Sequence, residues 1–227
     1  SLNNVLVIVP VRAGSKGLPG KNVRKFNGKE LYMRAVEQGL QFSNRCIINT
    51  DIDEIISRSS RNAEGVEIQV RPTQLGEDET TITSVLLDAL ERLEVKNTTI
   101  ILLQATSPLR LPQDIKRTLD LYREGRFSLV FTVTETNPAI LKNGVLQNGE
   151  FTAVSKMDYL FQNRQKLPQT FKPNGAVYVF DAEWFLSNKG FSCSNAGAVV
   201  MPAERSLDVD SLEDFVEAER LFVELSS

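Results

Sequence analysis

The stretch Arg12-Ala13-Gly14-Ser15-Lys16-Gly17-Leu18-Pro19-Gly20-Lys21-Asn22 follows the apolar run Leu6-Val7-Ile8-Val9 and precedes a helix-like segment opening near Glu30. A short apolar run bounded by glycines reads as a buried strand, so Arg12–Asn22 is the loop that leaves its end. Gly14, Gly17 and Gly20 permit positive φ and close backbone approach. Between Val11 and Lys29 there is no acidic residue, yet Arg12, Lys16, Lys21, Arg24, Lys25 and Lys29 all fall there. A loop of that charge at a strand end suits a polyphosphate. It is neither of the common phosphate loops. Five residues separate Gly14 from Gly20 and Asn22 follows Lys21, which departs from G-x-x-x-x-G-K-[ST]. Gly14 and Gly17 are spaced G-x-x-G, not G-x-G-x-x-G. The blander alternative is a surface turn with solvated lysines.

Outward from that loop, strand-like and helix-like segments alternate. Leu31, Ala35, Val36 and Leu40 predict a helix over about residues 30–41, and Arg45–Asn49 a second strand. Thr50-Asp51-Ile52-Asp53 offers a D-x-D metal candidate, but an acidic opening to a helix reaching about Asn62 is the simpler reading. Val66–Val70 is a third strand, and Ile82, Val85, Leu86, Ala89, Leu90 and Leu93 form one helical stripe. Thr98–Leu103 reads as a central parallel strand, followed by the polar loop Gln104–Arg110, where open α/β sheets place ligands. A helix over about 113–124 and a strand Ser128–Val133 continue the rhythm. This predicts an α/β fold with a doubly wound, mostly parallel sheet.

The rhythm breaks at residues 134–174, where short strand-like pieces surround the turn Gln147-Asn148-Gly149. We expect one domain over 1–227 with this segment as an insertion serving an interface or lid. Tyr159–Phe180 carries Arg164, Lys166 and Lys172 and no acid, a second basic patch or a solvated loop. Ala176–Phe180 and the parallel-type Ala198–Met201 are the last strands. In Leu207-Asp208-Val209-Asp210, an extended backbone puts both carboxylates on one face with Cα atoms about 7 Å apart, a pair able to hold Mg²⁺, unless Asp210 or Ser211 simply caps the final helix. Ser211 and Asp214 fit a capping box for a helix over about 212–224 that buries Leu212, Phe215, Val216 and Phe222.

Composition narrows the chemistry. The chain has 227 residues, a formal net charge of −3 and no histidine. That balance argues against a general nucleic-acid binder, and catalysis through Ser-His-Asp, Cys-His or His-ligated metal is excluded. Cys46 and Cys193 lack C-x-x-C spacing, which implies reduced thiols, no zinc site and a cytoplasmic setting. No run is long and apolar enough for a membrane span, and no secretion signal is expected.

Taken together, V-I-V-P-V-R-A-G-S-K-G-L-P-G-K-N at 7–22, R-P-T-Q-L at 71–75, L-L-Q-A-T-S-P-L-R at 102–110, R-Q-K-L-P-Q-T-F-K-P-N-G-A-V-Y at 164–178 and L-D-V-D at 207–210 resemble the CMP-sialic acid synthetases, the N-acylneuraminate cytidylyltransferases. The resemblance implies a nucleotidyltransferase of Rossmann-like nucleotide-diphospho-sugar transferase fold, joining CMP from CTP to the anomeric hydroxyl of a nine-carbon acidic sugar with release of pyrophosphate. It implies that Arg12, Ala13, Gly14, Ser15, Lys16, Lys21 and Asn22 grip the nucleotide, with Arg71 and the loop to Thr81 at the cytidine. Gln104, Asn174, Tyr178 and Phe191 would lie at the sugar, and Asp208 and Asp210 would bind Mg²⁺. Arg12, Lys21, Asp208 and Asp210 would be the catalytic set. The 134–174 insertion would be a dimerisation arm whose Arg164 meets the sugar carboxylate in the partner subunit of a homodimer. Lys172, Ala105 and Ser192 depart from frequent family residues, and the last of these leaves the acyl pocket open. Rival readings are a sister enzyme for legionaminic, pseudaminic or 3-deoxy-octulosonic acid, and a nucleotide-binding protein without turnover.

Overall fold

A computed structural model describes residues 4–13, 17–58, 64–77 and 79–227. In chain order its strands and helices are β1 (Val5–Val11), β2 (Lys25–Phe26), β3 (Lys29–Glu30), α1 (Leu31–Gly39), β4 (Cys46–Thr50), α2 (Asp53–Ser57), β5 (Val66–Val70), α3 (Ile82–Leu93), β6 (Thr99–Leu103) and α4 (Pro112–Arg123). Then come β7 (Leu129–Thr136), β8 (Gly144–Gln147), β9 (Glu150–Ala153), β10 (Thr170–Asp181), α5 (Ala182–Asn188), β11 (Ala196–Val200) and α6 (Leu212–Ser226). Seven strands form one sheet in the order β11-β7-β10-β6-β1-β4-β5. All neighbours are parallel except β10, which runs antiparallel to both β6 and β7. β6, expected as a central parallel strand, is therefore parallel on one side only.

The unbroken apolar character of β1 has a direct cause. Val5, Val7, Val9 and Val11 pack with Tyr32, Ala35 and Val36 of α1 and Ile115 and Leu119 of α4. Leu6 and Ile8 point the other way, onto Leu86 and Leu90 of α3 and Phe185 of α5. With helices on both faces, neither parity of a central strand meets water, so alternation vanishes from the sequence.

A third cluster joins Leu18, Phe26, Leu31, Leu109 and Val209 to Phe215 and Ala218 of α6. The Ser211–Asp214 capping box forms as expected, each side chain meeting the other's backbone N–H. The expected burial on α6 is corrected in part. Phe215 is buried, but Leu212 and Val216 are 50% and 57% exposed, because the face phased toward the core carries Phe215, Ala218 and Phe222.

The insertion is also shorter than expected. Residues 134–136 belong to β7 and 170–174 to β10, paired Thr136↔Thr170 and Thr134↔Lys172 as a two-stranded stalk. Beyond the stalk lies the β8–β9 hairpin, closed by Asn148 at φ 51° and Gly149 at φ 81°, the left-handed pair that an Asn-Gly turn supplies. Of the helix expected to reach about Asn62, the described residues show Asp53–Ser57; 59–63 lie outside them. Among the described residues no helix is long and apolar enough to cross a membrane.

Candidate active site

The order of the sheet changes direction at β1, whose chain successor β4 lies on one side and β6 on the other. Crevices of open α/β sheets form beyond the strand ends at such a point. A cleft of about 220 Å³ lies here, with Arg12 and Lys21 on one wall, Arg71 on another, Gln104 and Thr106 beyond β6, and Asp208 and Asp210 closing it.

The basic loop is held from below and from the side. Leu18 is buried in the third cluster, and Lys21 N–H donates to its carbonyl at 3.2 Å. Gly20 adopts φ 69°, the left-handed conformation that glycine permits, and turns the chain so that Lys21 and Asn22 face inward. Gly17 presses on the acidic segment: a Cβ built there would stand 2.1 Å from the carbonyl oxygen of Asp210. Only glycine allows that approach. Lys21 is 6% exposed and its Nζ lies 3.2 Å from Asp210 Oδ1, joining residues 189 positions apart. Asn22 Nδ2 donates to the Arg12 carbonyl at 3.2 Å, while its buried Oδ1 has no partner among the described residues. Ala13 N–H donates to Asp51 Oδ1 at 2.8 Å, so this carboxylate anchors the loop from the end of β4. Gly14, Ser15 and Lys16 lie outside the described residues.

Arg71 is buried at the floor. Its Nε donates to Asn49 Oδ1 at 2.8 Å, and Asn49 Nδ2 donates to Gln69 Oε1 at 2.7 Å. Burial lowers the Arg71 pKa, Asp51 opposes that and Arg12 adds to it. Thr81 is used locally: its hydroxyl caps α3, accepting Ser84 N–H at 3.2 Å, and it is Thr80, Ile82 and Val85 that line the cleft.

Of the residues expected at a sugar, Gln104 lines the cleft. Tyr178 is not part of that lining; it stacks on Phe191 with ring centroids 5.4 Å apart, and burial first and the charge of Asp208 second raise its pKa. Phe191 packs further onto Phe180 and Phe185. Asn174 is buried and spends its amide internally, its Oδ1 accepting from Thr132 Oγ1 at 2.6 Å and its Nδ2 donating to Ser206 Oγ at 3.1 Å. Arg164 sits exposed on the arm and does not line the cleft of its own chain.

Asp208 reaches solvent through the cleft mouth but is walled by protein on its other sides. That desolvation raises its carboxyl pKa; Thr106 hydrogen bonding lowers it, Asp210 raises it and Lys21 lowers it. Two neighbouring carboxylates open to the cleft are a donor set whose mutual repulsion a hard divalent cation relieves. Two such oxygen donors fit Mg²⁺, which leaves most of its coordination to water and phosphate. Among the described residues no cluster of three metal-ligating side chains forms, Asp51 and Asp53 included.

Asn49, Thr80 and Leu18 carry no role in the sequence reading, and Asp51, a metal candidate there, instead anchors the loop through Ala13 N–H. A polar Asn49 inside the buried run Cys46-Ile47-Ile48-Asn49-Thr50 was a readable signal, because a buried amide must find partners. Nothing in the sequence marked Leu18 as an anchor.

Comparison with known proteins is consistent with this geometry. A model of the cytidylyltransferase family matches residues 6–221. The N-acylneuraminate cytidylyltransferase of Streptococcus agalactiae serotype V is 31% identical over 225 residues, covering 93% of this chain and 51% of that protein. The chain thus spans about half the length of that relative. The CMP-N,N'-diacetyllegionaminic acid synthase of Legionella pneumophila is 26% identical over 226 residues, covering 96% of this chain and 95% of that one. A CMP:2-keto-3-deoxy-manno-octonic acid synthetase solved in complex with CTP superposes with a TM-score of 0.72 at 17% identity, covering 98% and 100% of the two chains, a shared fold.

Proposed function

The chain belongs to the cytidylyltransferase family, and on that premise we propose that it transfers CMP from CTP to the anomeric hydroxyl of N-acetylneuraminic acid, releasing pyrophosphate. The observation that carries the reading is the juxtaposition of Lys21 and Asp210, which sets a buried ammonium and an acidic pair at one sheet edge. Attack by the sugar oxygen on the α-phosphorus forms one P–O bond and breaks the P–O bond to the β-phosphate; the hydroxyl proton passes to Asp208 or to water. Arg12 and Lys21 neutralise the charge that gathers on the leaving pyrophosphate, and Arg71 seats the cytidine. Positioned cations supply most of such a rate enhancement, so a chain without histidine is equipped for it. Asp208 and Asp210 would hold Mg²⁺, which when bound shares the phosphate charge.

The reading extends to assembly. Leu146, Phe161 and Val145 on the arm are 71%, 81% and 61% exposed, a surface that suits a second copy of this chain. The homodimer would carry Arg164 to the neighbouring subunit's sugar carboxylate, which a guanidinium fork binds through parallel hydrogen bonds. Reduced thiols fit a cytoplasmic enzyme. A second reading, CMP transfer to a legionaminic acid, is favoured by the full-length match to the Legionella synthase. The test is pyrophosphate release with each of four nucleoside triphosphates against a panel of acidic sugars. CTP with N-acetylneuraminic acid should give the highest kcat/KM; nucleotide binding without product from any sugar would overturn the proposal.

A further inference from the structure

Arg110 ends the stretch Gln104–Arg110, yet it does not touch the cleft. It is 2% exposed, and its Nε and Nη1 point at backbone and amide oxygens. Nη1 donates to the carbonyl of Gln104 at 2.9 Å and to that of Ala176 at 2.8 Å. Nε donates to Gln38 Oε1 at 2.9 Å, and Gln38 Nε2 returns a bond to the Arg110 carbonyl at 2.7 Å.

The position of those carbonyls explains the residue. The β6–β10 ladder runs from Thr99↔Asp181 to Leu103↔Val177, so Gln104 and Ala176 are the first residues past its end. There β10 also shifts register against β7, between Pro173 and Tyr178, and Gly175 turns at φ 76° with its Cβ position 3.7 Å from Gln104 Nε2. Nη1 alone donates to both carbonyls while Nε, held at a fixed angle in the same plane, donates to Gln38, and a single-nitrogen ammonium cannot keep all three bonds at that spread. The cost is a buried cation. Asp114, the acid whose charge acts on it, is paired with Arg205. Burial pushes the Arg110 pKa down to about 10, with Asp114 raising and Arg34 lowering it, so the group is still charged at neutral pH.

We infer that Arg110, braced by Gln38 of α1, is a positioning residue for the sugar-facing side of the cleft, fixing the backbone of Gln104 against the bulge of β10 while leaving the triphosphate loop untouched. The assignment of a side rests on the reaction proposed above. The test pairs Arg110→Lys, which keeps the charge and loses the fork, with Gln38→Leu, which removes the brace from a half-buried helix position. The sugar KM should rise about tenfold in Arg110→Lys and about threefold in Gln38→Leu, the scale of one charge-assisted and one weaker hydrogen bond, with the CTP KM within about twofold. Hydrogen exchange should quicken in 102–110 and stay unchanged in 17–23. Should Arg110→Lys fail to fold, Gln38→Leu decides alone. Equal shifts in both KM values, or unchanged exchange at 102–110, would overturn the clamp and leave the reaction standing. A wild-type protein that makes no product with any sugar, while the exchange pattern holds, would overturn the reaction and not the clamp.

Discussion

Replacing Gly17 with alanine adds one methyl group where the basic loop meets the acidic segment. The new Cβ would lie 2.1 Å from the Asp210 carbonyl oxygen, and the obstacle is backbone, so no rotamer relieves it. Reaching even the tightest contact that real Cβ atoms tolerate, 3.0 Å, requires the two segments to part by about 1 Å. That shift is a large fraction of the 3.2 Å between Lys21 Nζ and Asp210 Oδ1. Misplacement of catalytic groups by about 1 Å costs on the order of 100-fold, so kcat/KM for pyrophosphate release should fall by about that factor, or about 2.7 kcal/mol. Overpacking at one site removes about 1–3 kcal/mol of stability, so the protein should still fold. Gly28→Ala is the matched control: φ is 81° and nothing lies within 4 Å, so strain of about 1 kcal/mol should appear in melting and not in turnover. The assay is steady-state pyrophosphate release at varied CTP, with thermal melts of each variant. Wild-type kcat/KM in Gly17→Ala would refute the claim that this contact registers loop and acids.

Asp210→Asn, and more so its combination with Asp208→Asn, should abolish Mg²⁺-dependent pyrophosphate release with the melting temperature retained; calorimetric Mg²⁺ titration should show binding lost in parallel. Asn49→Leu leaves the buried Arg71 short of an acceptor and should cost about 1–3 kcal/mol and raise the CTP KM more than the sugar KM, read by denaturant melts and kinetics. Arg164→Ala should raise the sugar KM well above any change for CTP. If it acts across the dimer, mixing it with Asp210→Asn should restore about a quarter of wild-type activity, since half the random dimers carry one intact site. Burial pushes the Cys46 thiol up to about 12. The folded state therefore holds its proton above pH 9 where the unfolded chain releases it, so this thiol's contribution to stability falls as pH rises from about 9 to about 12. A thiol reagent at pH 8 should label the half-exposed Cys193 alone until the protein unfolds.

Periodicity and charge along the chain were sufficient for the α/β alternation, the acid-free loop after β1, the Asn148-Gly149 hairpin and the cap of α6. Each depends on backbone geometry within a few residues, which leaves its mark on neighbouring positions whatever the rest of the chain does. The length of the arm was not legible because the ends of residues 134–174, Thr134–Thr136 and Thr170–Asn174, are extended in either reading, and only their mutual pairing makes them sheet. Leu212 and Val216 were misplaced because an apolar residue one step off the buried stripe looks the same in sequence as one on it. What the folded chain alone decided are the meetings of distant parts: Gly17 under the Asp210 carbonyl, Lys21 against Asp210, Arg71 on Asn49, and Arg110 across Gln104 and Ala176. Local patterns specify which residues a strand or helix turns inward. Partners across the sheet are chosen by strand order and by the antiparallel entry of β10, which no spacing along the chain encodes.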